Sequence, residues 1–172
     1  LKKSSFKRNI LKNKDIDNPV TLADLKVNEL IIKRINDKYK DIEWEILSEE
    51  NVKTISVNCD TNADWLWILD PLDGTKDFIQ GTSNYAMHLA LQYKQKNFLG
   101  IVLIPERDEL WMAYEGQVWC EKRDGGKKDF TRSRSLFISE MTLVTSKNHR
   151  NPTLKYLIER INFGKVIEMG SI

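Results

Sequence analysis

Trp67-Ile68-Leu69-Asp70-Pro71-Leu72-Asp73-Gly74-Thr75-Lys76-Asp77-Phe78 is the stretch on which the reading of this chain turns. Its apolar start reads as a strand. Two carboxylates, Asp70 and Asp73, stand at the strand's mouth, with Pro71 stiffening a turn between them and Gly74-Thr75 placed to begin a helix. Carboxylates are hard oxygen ligands for a divalent cation such as Mg²⁺, and free backbone N–H groups at a helix start accept phosphate oxygens. The pattern therefore suits metal and phosphate together.

Further acids lie upstream. Glu49-Glu50 closes the strand-like Ile46-Leu47-Ser48, and Asp24 falls in the first turn of a helix beginning near Thr21. If these groups converge, like charges at about 4 Å repel by about 4 kcal/mol at an effective dielectric of about 20, and the cluster needs a cation. Each acid also has a purely structural reading, and the sequence leaves both open. Asp70 and Asp73 suit turns in which the side chain bonds its own backbone, Asp24 suits a capping box with Thr21, and Glu49 suits a solvated strand end.

Working outward, Val27, Ile31 and Ile35 recur every four positions between Thr21 and about Tyr39, with Leu25, Leu30 and Ile32 beside them, which predicts a helix. Pro19 precedes it and Thr21 is its expected N-cap. An earlier helix is expected through Phe6, Ile10 and Leu11. Beyond Glu43 short runs rich in Trp, Ile, Val and Tyr predict strands over Trp44–Leu47, Trp65–Leu69, Ser83–Tyr93, Phe98–Ile104, Leu110–Tyr114 and Val118–Glu121. The short polar links Lys94-Gln95-Lys96-Asn97 and Glu115-Gly116-Gln117 imply antiparallel hairpins. Gly125-Gly126 marks another turn, Leu143–Thr145 and Val166-Ile167 further strands, and Asn151-Pro152 opens a helix through Leu154, Leu157, Ile158 and Ile161. The sum is an α+β fold, helices laid on a mainly antiparallel sheet, with no internal repeat or linker across residues 1–172.

At 172 residues and 41% hydrophobic, the chain can bury one core. With 27 basic and 25 acidic residues, its net charge of +2 gives no warrant for a nucleic-acid or membrane partner. The basic residues Lys2, Lys3, Lys7, Arg8, Lys12 and Lys14 all precede the first acid, Asp15, and read as a solvated helix face or as a patch drawing anionic substrate inward. Cys59 and Cys120 form no CxxC pair, which argues against a zinc site and fits a reducing compartment. No apolar run approaches the roughly 20 residues that cross a bilayer, and the basic start lacks the apolar stretch of a signal peptide, so a cytoplasmic protein is expected. Leu1 in place of Met, and an end just past a strand-like segment, suggest a chain cut at both ends.

Leu72-Asp73-Gly74-Thr75 is similar to a motif of the haloacid dehalogenase phosphatases, but Pro71 occupies the position of their nucleophilic Asp, and that reading fails. Asp70-Pro71-Leu72-Asp73-Gly74-Thr75 with Lys76-Asp77-Phe78 instead resembles the first signature of the inositol-monophosphatase superfamily. Pro19-Val20-Thr21, Ala23-Asp24, Ile46-Leu47-Ser48-Glu49-Glu50 and Gly170-Ser171 extend the resemblance over nearly the whole chain. It implies a layered α/β sugar-phosphatase fold of which this chain is the N-terminal half. It implies that Glu49, Asp70, Asp73 and the Leu72 carbonyl hold Mg²⁺, that Asp24 and the Thr75 hydroxyl orient the attacking water, and that the Gly74 and Thr75 amides hold the phosphate, with Gly170 and Ser171 on the substrate side.

Within the superfamily, Lys76-Asp77-Phe78 and Ser48-Glu49-Glu50 are more similar to the bisphosphate nucleotidases than to the inositol monophosphatases. The resemblance then implies hydrolysis of the 3′-phosphate of adenosine 3′,5′-bisphosphate to AMP and phosphate. The alternatives are an inositol or other sugar monophosphatase and a noncatalytic metal- or phosphate-binding fragment. It implies a small-molecule phosphate ester as partner and a homodimer of the full-length protein. The superfamily's second signature, with a further metal-ligating Asp, is not found before Ile172, so this chain by itself is expected to be inactive. His149, just before the Asn151-Pro152 helix start, is read as a surface histidine or as a contact to phosphate or ribose. His88, alternating with Met87 and Leu89, reads as a structural histidine, and Trp44, Trp65, Trp67, Trp111 and Trp119 read as core.

Overall fold

A Thr-x-x-Asp capping box starts the first helix, α1 (Leu22–Lys38). The Thr21 N–H donates to Asp24 Oδ2 at 2.8 Å, while the Thr21 hydroxyl oxygen accepts from the Ala23 N–H at 3.2 Å, so orphan amides of the first turn are satisfied locally. The computed structural model describes residues 10–12, 20–52, 63–131, 137–146 and 152–169. Within α1 the buried positions are Asp24, Asn28 and Ile35, whereas Val27 and Ile31 are only half-buried. The face turned inward is thus polar over its first two turns and apolar only near its end.

Residues Ile10–Lys12 form a strand, β1, not a helix, and pair antiparallel with β2 (Val20–Thr21). The expected helix through Phe6, Ile10 and Leu11 is corrected for Ile10 and Leu11; Phe6 lies outside the described residues. The extended backbone that leads into the capped helix offers open N–H and C=O groups, and pairing with it outweighs a weak local helical pattern.

The main sheet has seven strands in the order β3-β4-β5-β6-β7-β8-β9. They are β3 (Trp44–Ser48), β4 (Trp65–Asp73), β5 (Ala86–Tyr93), β6 (Lys96–Ile104), β7 (Glu109–Tyr114), β8 (Gln117–Glu121) and β9 (Lys127–Phe130). All neighbours run antiparallel except β3 and β4, which are parallel with Ser48 opposite Leu69. The α+β expectation holds. Strand β9 went unread because Lys127-Lys128-Asp129-Phe130 carries no apolar alternation; it is an edge strand, where lysines discourage further pairing. A separate parallel pair, β10 (Thr142–Ser146) and β11 (Lys165–Met169), is joined through helix α4 (Pro152–Arg160).

Leu69 is almost wholly buried, and Ile35, Trp67, Leu72, Tyr85, Ala86, Ile104 and Cys120 complete the apolar core. Side chains of this kind each contribute about 1.5–3 kcal/mol on burial. Of the five tryptophans only Trp67 is buried; Trp44, Trp65, Trp111 and Trp119 are half-buried, and Trp65 instead stacks on Tyr93 and meets Phe98 edge-on. Among the described residues no helix is long and apolar enough to cross a membrane.

Candidate active site

Because β3 and β4 are parallel, their C-terminal ends emerge side by side at the same end of the sheet. Ser48 closes β3, and Glu49, exposed directly after that strand end, opens the four-residue helix α2 (Glu49–Val52). Next to it β4 runs on through Asp70 and Pro71 to Asp73, so the expected turn around Pro71 is corrected to continuous strand with a bulge. Proline is tolerated here because the ladder with β3 stops at Leu69, and no partner carbonyl on that side awaits the missing N–H.

The bulge has a specific effect. Asp70 pairs with His88 and Asp73 with Ala86, so three steps along β4 match two along β5. In a regular strand, residues three apart face opposite sides. The extra residue turns Asp73 back to the side of Asp70, shared with His88 on β5. Gly74 then takes a left-handed conformation (φ 83°, ψ 37°), which glycine adopts without a Cβ clash, and α3 (Thr75–Gln80) begins.

The acids are held individually. Asp70 Oδ1 accepts the Leu72 N–H at 3.1 Å, and the Asp73 carboxylate accepts the Gly74 N–H. The local turn bonds weighed from sequence are therefore present. Asp70 is also hydrogen-bonded to Glu49, and burial, followed by the charge of Glu49, pushes its pKa up from the ordinary value to about 7. Burial likewise raises the Asp73 carboxyl, offset by His88, whose Nε2 lies 3.9 Å from Asp73 Oδ2.

Asp24 is 2% exposed and uses both oxygens. Oδ2 accepts from the Thr21 N–H and hydroxyl, and Oδ1 accepts from Thr75 Oγ1 at 3.2 Å. The cap and the link to α3 thus share one carboxylate. Thr75 Oγ1 also lies 3.0 Å from the Leu72 carbonyl, and its single proton serves one acceptor at a time.

The structure thus brings together Asp24, Thr75 and the Leu72 carbonyl on one hand, and Glu49 and Asp70 on the other, with Asp73 beside them. Among the described residues no three His, Cys, Asp or Glu side chains close into a ready-made metal cage. His149, Gly170 and Ser171 lie outside the described residues, as does Cys59. Asn28, which sequence reading passed over, is a buried polar residue under the Glu49 corner, where its Oδ1 accepts the hydroxyl proton of the buried Ser48. The signal was available, since Asn28 follows Asp24 by four and shares its helix face.

The profile of the inositol monophosphatase family matches residues 2–171. The chain is similar to the 3'(2'),5'-bisphosphate nucleotidase CysQ of Buchnera aphidicola, with 32% identity over 155 residues that cover 89% of this chain and 55% of that protein. Among solved structures, Thermotoga maritima IMPase matches with a TM-score of 0.69 at 25% identity, covering 95% of this chain and 59% of that one. An IMPase/NADP phosphatase complexed with Mg²⁺ and phosphate matches with a TM-score of 0.73 at 20% identity, covering 95% and 58%. The chain therefore spans little more than half the length of these relatives.

Proposed function

The chain belongs to the inositol monophosphatase family, and from that premise we propose that the protein is a Mg²⁺-dependent phosphomonoesterase acting on the 3′-phosphate of adenosine 3′,5′-bisphosphate. The observation that carries the reading is the hydrogen bond from Thr75 to the buried Asp24 beside the Glu49–Asp70 contact. Neither fold stability nor capping alone requires a threonine of α3 to reach a carboxylate of α1 next to a hydrogen-bonded pair of acids.

The donor set fits the metal. Glu49, Asp70, Asp73 and the Leu72 carbonyl are hard oxygen donors, and the raised Asp70 and Asp73 carboxyls are groups that a cation would relieve of burial cost and mutual repulsion. When bound there, Mg²⁺ supplies Lewis-acid neutralisation of the phosphoryl charge.

The chain's own residues do the rest. Thr21 fixes the Asp24 carboxylate through two donors, leaving Oδ1 to receive the Thr75 proton. The Thr75 oxygen then keeps lone pairs that accept a hydrogen bond from water and orient it for attack on phosphorus. Amides at the start of α3, which has no side-chain cap, hold the phosphate. His149, Gly170 and Ser171 complete the substrate side in this reading. We propose further that residues 1–172 form the N-terminal portion of the catalytic unit and that the full-length protein is a homodimer.

The bisphosphate substrate is supported by the similarity to the Buchnera nucleotidase. A second reading, an inositol or sugar monophosphatase, is favoured by the match to Thermotoga maritima IMPase. Phosphate release by the full-length gene product, measured with Mg²⁺ against adenosine 3′,5′-bisphosphate, AMP, inositol 1-phosphate and sugar phosphates, separates the two. Higher kcat/KM for the bisphosphate is expected; a preference for inositol 1-phosphate would install the second reading, and no turnover on any ester would overturn both.

A further inference from the structure

We propose that Asn28 is a positioning residue that fixes the Glu49 corner, an inference that rests on the reading of Glu49 as a metal ligand. Asn28 is 9% exposed, one helical turn after Asp24 on the buried face of α1. Its Oδ1 accepts the hydroxyl proton of Ser48, a residue with no exposure, and its Nδ2 donates to Asn51 Oδ1 at 3.3 Å. Ser48 immediately precedes Glu49 and Asn51 follows it by two. The Asn28 amide therefore grips the strand-to-helix corner on both sides of the acid.

A buried amide is costly unless both of its ends are paired, about 1–3 kcal/mol for each orphaned group, so Asn28 is a poor choice for filling space. It is a good choice for tying two neighbouring segments to one helix. Glu49 is hydrogen-bonded to Asp70, so the placement of this corner sets how the two carboxylates meet. The four-residue α2 is too short to fix its own orientation, and the Asn28 amide ties the residue before it and its third residue to α1. The same face of α1 carries Asp24, which bonds Thr75. Two buried polar residues about 6 Å apart on one rigid helix thus fix, separately, the acid that follows one strand end and the hydroxyl that follows the other.

The test is Mg²⁺ binding by titration calorimetry on the full-length gene product, with unfolding followed in EDTA, for Asn28→Ala, Glu49→Gln and the double variant. Asn28→Ala is expected to weaken Mg²⁺ binding about tenfold, as loss of a group that orients a ligand does. KM for the phosphate ester at saturating Mg²⁺ should stay within about twofold. In the Glu49→Gln background the same change should cost less than about twofold, because the residue it positions no longer ligates. Equal losses in both backgrounds would overturn the proposal by showing a general effect on the fold. Unchanged binding in Asn28→Ala alongside weakened binding in Glu49→Gln would overturn it while leaving the ligand reading intact; unchanged binding in Glu49→Gln would remove that reading and the proposal with it. Ser48→Ala cuts the same link from the other side and should reproduce the tenfold loss if Asn28→Ala fails to fold.

Discussion

Thr75 has one hydroxyl proton and two acceptors within reach, Asp24 Oδ1 and the Leu72 carbonyl. Donation to either leaves its oxygen lone pairs that accept from a water. Thr75→Ala in the full-length protein should lower kcat by about 100-fold or more with KM nearly unchanged, since alignment of the water matters most in the transition state. Thr75→Ser, which keeps the hydroxyl, should recover most of the loss. A rise in KM alone would place Thr75 in substrate binding instead. Asp70 makes a different prediction. Its folded-state pKa is raised to about 7, so the stability it contributes is fully present below the unfolded value and is lost as pH rises through the folded one. The metal-free protein should therefore melt at progressively lower temperature from about pH 4 to about pH 7, and Asp73, raised in the same direction, adds to the trend. Mg²⁺ should raise the melting temperature more at about pH 8 than at about pH 5. Melting curves in EDTA and in MgCl₂ check both statements, and a flat EDTA profile would contradict them.

The hairpins of the main sheet allow an internal comparison between elements. The β7–β8 turn uses Glu115 and Gly116 at φ 48° and 78°, and the β5–β6 turn uses Lys94 and Gln95 at φ 49° and 63°. Both are two-residue turns of the left-handed kind that match strand twist, but only the first has glycine at its second position. Gln95→Gly should stabilise the protein by about 0.5–1 kcal/mol, seen as a shifted denaturant midpoint at constant slope, and Gln95→Val should destabilise it. These hairpins were legible because apolar runs bounded by polar pairs leave few alternatives. So was α1, from the four-residue period of Val27, Ile31 and Ile35 with Thr21 marking its start, although its buried face is led by Asp24 and Asn28. What the sequence withheld was decided by partners distant in the chain. Nothing in Ile10-Leu11-Lys12 announces pairing with Val20-Thr21, and nothing in Asp70-Pro71-Leu72-Asp73 announces a bulge, which exists only relative to the register of β5. The acids were nameable one by one, but their convergence depends on β3 and β4 running parallel, and no local pattern encodes that.

At the scale of the molecule, the described residues hold the seven-stranded sheet, the short β1–β2 pair and the parallel β10–β11 pair, which are unequally covered. Phe137 is 63% exposed, and Ile138, Val144, Tyr156 and Leu157 around β10 and α4 are exposed as well. Apolar surface gathered in this way favours association. The 172-residue chain on its own should elute from a sizing column larger than a monomer at micromolar concentration, and a single monomeric peak would contradict this. The two-stranded pair itself has a further consequence. Each amide in β5 and β6 sits in a strand flanked on both sides, whereas among the described residues β10 and β11 have only each other. Placed in deuterium oxide, the chain should therefore keep two clocks. Protons of β10 and β11 should be traded for deuterium through local opening long before those of β5 and β6, whose release waits on global unfolding. A mass-resolved peptide map in which β10 retains its protons as long as β6 would show that the small pair is fastened to the sheet as one cooperative body.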